Sequence, residues 1–124
     1  MPGTGGVMLS FEGKRAYLAC GATDMRKSIN TLSVLVDSKF QLDLFGDSVF
    51  VFCNRKRDRL KILEWDGDGF WLYFKRLEKG HFKWPSEGET ATMVLDANEL
   101  ATLLGGVRVE LKIRRNEVKG RMIS

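Results

Sequence analysis

Between residues 55 and 85 the chain interleaves cationic and aromatic side chains, a combination whose chemistry is neutralisation of phosphate and stacking on exposed bases. The cations concerned are Arg55, Lys56, Arg57, Arg59, Lys61, Arg76 and Lys83. Covalent chemistry finds poorer material. A Ser-His-Asp arrangement has only His81 to use, and that residue falls in a tight reversal with no nucleophile near it in sequence. Asp58, Glu64, Asp66 and Asp68 are conceivable magnesium ligands, yet Asp66 and Asp68 are already accounted for as turn residues. Asp96 with Glu110-Leu111-Lys112 mimics the Asp, Glu-x-Lys spacing of a metal-dependent nuclease core. Asp96, however, also fits a helix cap, and Glu110 and Lys112 also fit the wet face of a strand. Cys20 and Cys53 form no Cys-x-x-Cys pair, so the usual zinc ligand sets cannot be assembled and no cofactor is expected.

The elements that position the cations follow from a single turn. Asp66-Gly67-Asp68-Gly69 has the residues a tight reversal requires, and centring a hairpin on Gly67 and Asp68 pairs Trp65 with Phe70, Leu63 with Leu72, Lys61 with Phe74 and Arg59 with Arg76. All of these share one sheet face. Leu60, Ile62, Glu64, Trp71, Tyr73 and Lys75 take the other. A second reversal at Lys79 and Gly80 leads to a strand over residues 81–84 that sets Lys83 beside Arg76. Like charges directly opposite on a ladder cost about 0.2 to 1 kcal/mol per pair, so packing alone does not favour such a cluster. An anionic partner explains it. The plainer account has the long stems covering apolar sheet surface, with Glu64 or Glu78 neutralising their heads.

Around this hairpin the chain reads as one domain. Residues 14–20 form a strand, and Thr23 or Asp24 starts a helix whose stripe is Met25, Ile29, Leu32, Val36 and Phe40. Arg26 and Lys27 then fall in its first turn, against the positive end of the helix dipole, which suggests an anion there; pairing of Arg26 with an acidic group is the alternative. Residues 48–53 open the antiparallel series, 91–95 add a short strand, and Asp96 with Glu99 forms a capping box for a late helix closed by Gly105-Gly106. Alternation over residues 107–113 marks a half-exposed strand. The expected fold is α+β: a mostly antiparallel sheet with hairpins through residues 48–84, one longer helix near the start and a short late one. Residues 1–13 read as a flexible leader, 14–115 as the domain and 116–124 as a basic tail.

Bulk properties agree with a single core: 124 residues, 44% hydrophobic, no apolar run near bilayer length and no signal-like leader, hence a cytoplasmic protein. The net charge of +4 is unevenly spread. Residues 55–61 and 107–124 each carry +4, so the remainder carries −4. Two basic segments on an acidic body steer the chain toward nucleic acid or an acidic protein surface, although the second also fits a solubilising tail.

The motifs Asp24-Met25-Arg26-Lys27, Arg57-Asp58-Arg59-Leu60-Lys61-Ile62-Leu63, Trp65-Asp66-Gly67-Asp68-Gly69-Phe70, Lys75-Arg76-Leu77-Glu78 and Phe82-Lys83-Trp84-Pro85 occur in order. Together they resemble the TnpB accessory proteins of the bacterial insertion-sequence-sixty-six family, which are distinct from the RNA-guided nuclease of the same name. The resemblance spans about residues 15–106 and implies work beside a separate transposase in moving a DNA element. Three functions follow for testing. A non-catalytic accessory role organises a transposase/DNA complex through the basic hairpin face, with Arg26, Lys27, Arg55, Lys56, Arg57, Arg59, Lys61, Arg76 and Lys83 as contacts. Docking on the transposase without DNA contact is the second, by the same face or by sheet extension. Metal-dependent cleavage is a distant third.

Overall fold

The computed structural model describes residues 7–9, 11–105 and 109–111. Its elements run β1 (Val7–Leu9), β2 (Arg15–Ala19), α1 (Ile29–Val34), β3 (Ser48–Cys53), β4 (Arg59–Trp65), β5 (Phe70–Arg76), β6 (Thr92–Leu95), α2 (Ala97–Leu103) and β7 (Val109–Leu111). Five strands form a sheet in the order β5-β4-β3-β2-β6, antiparallel except where β2 and β3 run parallel. That parallel pair requires a crossover, which α1 supplies. The result is the expected α+β, mostly antiparallel architecture. β1, within the stretch that reads as leader in the sequence, pairs with β7, within the strand expected at 107–113, in a separate two-stranded ribbon.

Alternation divides the core into two. On one side Ala19, Phe50, Phe52 and Leu63 pack against Leu32 and Val36 of the first helical segment; on the other, Leu18, Val49, Val51, Leu60 and Ile62 meet Leu100 and Leu104. β3 is central and buried on both faces, which is why residues 49–53 are an unbroken apolar run. The β4–β5 register matches the turn-based expectation at every pair, from Trp65 opposite Phe70 to Arg59 opposite Arg76. The late helix is also as expected: Asp96 Oδ1 accepts from Glu99 N–H at 2.7 Å, Glu99 Oε1 accepts from Asp96 N–H at 2.9 Å, and Gly105 ends it at φ +111°. The outer residues of the strand expected at 107–113, and the basic tail, lie outside the described residues.

Two expectations need correction. The first helix begins at Ile29, with Ser28 as its N-cap, so Arg26 and Lys27 precede it and never meet its dipole. The reason is local: Asp24 accepts from the backbone N–H of Arg26 at 2.9 Å, Lys27 N–H reaches Asp24 O at 3.2 Å, and residues 24–27 close into a turn. The helix then widens into a π turn at Leu35–Lys39, where Phe40 N–H reaches back five residues to Leu35 O.

No strand forms at residues 81–84. Phe82 and Trp84 are instead buried in the α2-side core, and the Trp84 indole donates to the carbonyls of Ala19 and Gly21 at 3.0 Å each. A buried indole N–H needs an acceptor, and this one draws the segment across to the end of β2. Lys83 therefore does not sit on a ladder beside Arg76.

A basic end of the sheet as candidate functional site

The turn joining β3 and β4 is organised by Asn54. Its Oδ1 accepts from the N–H groups of Asp58 (3.0 Å) and Arg59 (3.1 Å), while its Nδ2 donates to Asp58 Oδ1 at 2.8 Å. That bond holds the Asp58 carboxyl below its ordinary pKa. The carboxylate is thereby committed to the turn. Arg57 N–H reaches Asn54 O at 3.1 Å, and Arg57 itself sits in the left-handed region at φ +63°. A side chain there costs about 1 to 2 kcal/mol relative to glycine's free access.

The segment after β5 folds over this turn and takes up its carbonyls. Leu77 N–H donates to Asp58 O at 2.7 Å, Phe82 N–H to Arg57 O at 2.7 Å, and His81 Nδ1 to Lys56 O at 2.8 Å. With its main chain satisfied inward, the turn presents Arg55, Lys56 and Arg57 outward, all exposed. Lys79 and Lys83, carried by the covering segment, join the same end and are also exposed.

Arg59 and Arg76 extend the cluster onto the α1 face. Asp58 and Leu77 share a backbone hydrogen bond, so their neighbours Arg59 and Arg76 form a non-hydrogen-bonded pair, the closer of the two cross-strand geometries. Arg76 Nη2 binds Glu78 Oε2 at 3.0 Å. Arg59 has no ion pair or side-chain hydrogen bond among the described residues, and the same holds for Arg55, Lys56, Arg57, Lys79 and Lys83.

Lys61 is the site residue whose role changes. Its Nζ donates to the carbonyls of Met25 (2.7 Å) and Lys27 (3.0 Å), and burial lowers its pKa against the opposing pull of Asp24. It is a latch, already occupied. Its effect is to hold the 24–27 turn over β4 on the face that carries Arg59 and Arg76. Arg26 clamps Asp24 through Nε (3.0 Å to Oδ1) and Nη2 (2.7 Å to Oδ2), and those bonds keep the Asp24 carboxyl well below the usual carboxylate range. Lys27 has no carboxylate partner among the described residues.

Glu64 does not neutralise this cluster. It lies buried on the α2 face, where Lys14 donates to Oε2 and the Tyr73 hydroxyl donates to Oε1 at 2.7 Å. Burial first, and then Glu64, push the Tyr73 hydroxyl pKa far upward. Most aromatics serve packing: Trp65 meets Phe45 and Phe70 edge-on at the opposite end of the hairpin, and Trp84 is buried. Sequence reasoning missed Lys79 and His81; their signal was the loop Glu78-Lys79-Gly80-His81, which the Leu77 and Phe82 backbone bonds and the His81 ring fold against the turn.

Among the described residues no three His, Cys, Asp or Glu side chains come together as a metal site. Asp96 is a helix cap, Glu110 stands on β7, and Lys112 lies outside the described residues. Cys20 and Cys53 are both free thiols; Cys53 is buried, whereas Cys20 lies beyond the end of β2 and is only half-buried. Burial pushes the Cys53 thiol up to about 11. No helix among the described residues is long and apolar enough to cross a membrane.

Residues 14–114 match the family model described as IS66 Orf2 like protein. Two proteins of Sinorhizobium fredii are similar across most of their length. The uncharacterised protein y4hO is 35% identical over 98 residues, 79% of this chain and 84% of its own. The uncharacterised protein y4jC is 33% identical over 108 residues, 87% of this chain and 91% of its own. No solved structure matches.

Proposed function

Since the chain belongs to the IS66 Orf2-like family of transposition-associated accessory proteins, we propose that it serves transposition without itself cutting DNA, by gripping the phosphate backbone and helping organise a complex of DNA with the element's transposase. The supporting observation is the electrostatic state of the basic end. Arg55, Lys56, Arg57, Arg59 and Lys83 are exposed and free of carboxylate partners among the described residues, while the nearest acids, Asp58 and Glu78, are bound to Asn54 and Arg76. Asp58 offsets Arg59 and Lys56 only in part and forms no ion pair with either, so a net positive end is left for a polyanion to neutralise with release of counterions.

The contacts assigned are Arg55, Lys56, Arg57, Arg59, Arg76 and Lys83, with Arg26 and Lys27 flanking them. Contacts of this kind to phosphate fix the position of a duplex and carry no sequence information of their own. Such a protein works in the cytoplasm, where the element's DNA lies.

The test is a pull-down of the transposase and of element-end DNA with wild type and with a hairpin carrying Arg55→Glu, Arg57→Glu and Arg59→Glu, each with and without nuclease. Recovery of DNA by wild type and its loss in the reversed hairpin support the proposal. Nuclease-resistant capture of transposase with no DNA recovery overturns it in favour of docking on an acidic protein surface.

A further inference from the structure

β5 is an open edge of the sheet, and its sequence is complementary to itself. The Asp58–Leu77 and Asp66–Gly69 backbone bonds fix which residues face β4: Gly69, Trp71, Tyr73, Lys75 and Leu77 bond inward, so Phe70, Leu72, Phe74 and Arg76 direct N–H and C=O away from the sheet. None of these four has an outer backbone partner among the described residues.

Edges of soluble sheets are normally protected by shortness, proline, a bulge or a free charge. β6, the other edge, is four residues long. β5 has seven, and Phe70-Trp71-Leu72-Tyr73-Phe74 carries no charge and no proline. The lysine that follows is diverted: Lys75 Nζ donates to Leu104 O at 3.2 Å. Phe74 nevertheless remains 50% exposed and Trp71 44% exposed.

We infer that β5 pairs antiparallel with β5 of a second copy about a twofold axis through Tyr73, joining two five-stranded sheets into one. Among registers that match outward-facing backbone to outward-facing backbone, only the one centred on Tyr73 pairs all seven residues. On the α1 face it sets Phe70 opposite Arg76 and Leu72 opposite Phe74; on the other it sets Trp71 opposite Lys75 and Tyr73 opposite its own copy. Every cationic position thus falls opposite an aromatic one, and no like charges oppose. A parallel pairing stacks Lys75 on Lys75 and Arg76 on Arg76, so charge selects the antiparallel twofold. The exposed Phe74 and Trp71 side chains gain partners, and four N–H and four C=O groups per copy are satisfied.

This inference stands apart from the DNA reading and is tested without DNA, on nuclease-treated full-length protein by sedimentation equilibrium. Wild type is expected to show a concentration-dependent monomer–dimer equilibrium. Phe74→Pro removes an outward N–H, a position where edge strands tolerate proline, and is expected to abolish the dimer. Val94→Pro makes the same change on an outward position of β6 and is expected to leave the dimer intact. Trp71→Lys, which sets lysine against Lys75 of the other copy, weakens it. Amide exchange needs no variant: the Leu72 and Phe74 amides are expected to slow as concentration rises. A monomer at all concentrations, exchange of those two amides that ignores concentration, or a dimer that survives Phe74→Pro overturns the inference.

Discussion

Arg59 and Arg76 stand directly opposite each other on β4 and β5, and only Arg76 has a carboxylate, that of Glu78. Such a pair costs roughly 0.2 to 1 kcal/mol in sheet stability. Arg59→Thr is therefore expected to raise the unfolding free energy by about that amount in urea titration, while lowering affinity for duplex DNA. A variant that loses both stability and binding contradicts a functional origin for the pair.

Arg57 offers a second conflict between fold and function. Its left-handed φ of +63° suits glycine, so Arg57→Gly relieves the steric cost and is expected to stabilise the chain by roughly 0.5 to 1 kcal/mol after glycine's greater entropy loss. Denaturant midpoints check the sign. A strongly destabilised glycine variant means that the arginine side chain supports the fold instead.

Lys61 predicts the opposite pattern. Its ammonium holds two carbonyls of the 24–27 turn, and hydrogen bonds to charged groups contribute about 1.5 to 3 kcal/mol. Lys61→Met is expected to lose about that much stability and to loosen Arg26 and Lys27, seen as faster amide exchange in residues 24–28. Unchanged exchange there removes the latch from the account.

Acid should weaken the turns before it reaches the core. Asp24, Asp58 and Asp66 are lowered by hydrogen bonds from Arg26, Asn54 and Trp71 respectively. Because their folded-state values lie below the unfolded ones, the stability they supply is complete above about pH 4 and is lost as pH falls through the depressed values. Thermal melting between pH 5 and pH 2 is expected to show a falling limb, shallower in Asp58→Asn. An identical slope in that variant refutes the assignment.

Much of this was legible in the sequence because short-range chemistry decided it. The Asp66-Gly67-Asp68-Gly69 turn and strict alternation fix every cross-strand pair to Arg59–Arg76, and Asp96 with Glu99 marks the late helix. Failures arose where a competing partner outbid the pattern, two residues away at Asp24 and far along the chain at Trp84 and Lys61. Asp24 is a good helix cap by type, but the Arg26 guanidinium takes its carboxylate. Residues 81–84 alternate like a strand, but the Trp84 indole is satisfied only at Ala19 and Gly21. Lys61 shares a face with Arg59, and nothing in its neighbours announces that carbonyls 36 and 34 residues earlier will occupy it.

The most direct measurement is fluorescence anisotropy of labelled duplex DNA titrated with wild type and with the Arg55→Ala, Arg57→Ala, Arg59→Ala variant across a salt series. Wild type should bind at low salt with log K falling linearly in log salt, and the variant's slope should shrink by about 0.9 for each phosphate contact removed. No binding by wild type at low salt, or a variant with unchanged affinity and slope, contradicts the claim that the basic end of the sheet holds DNA.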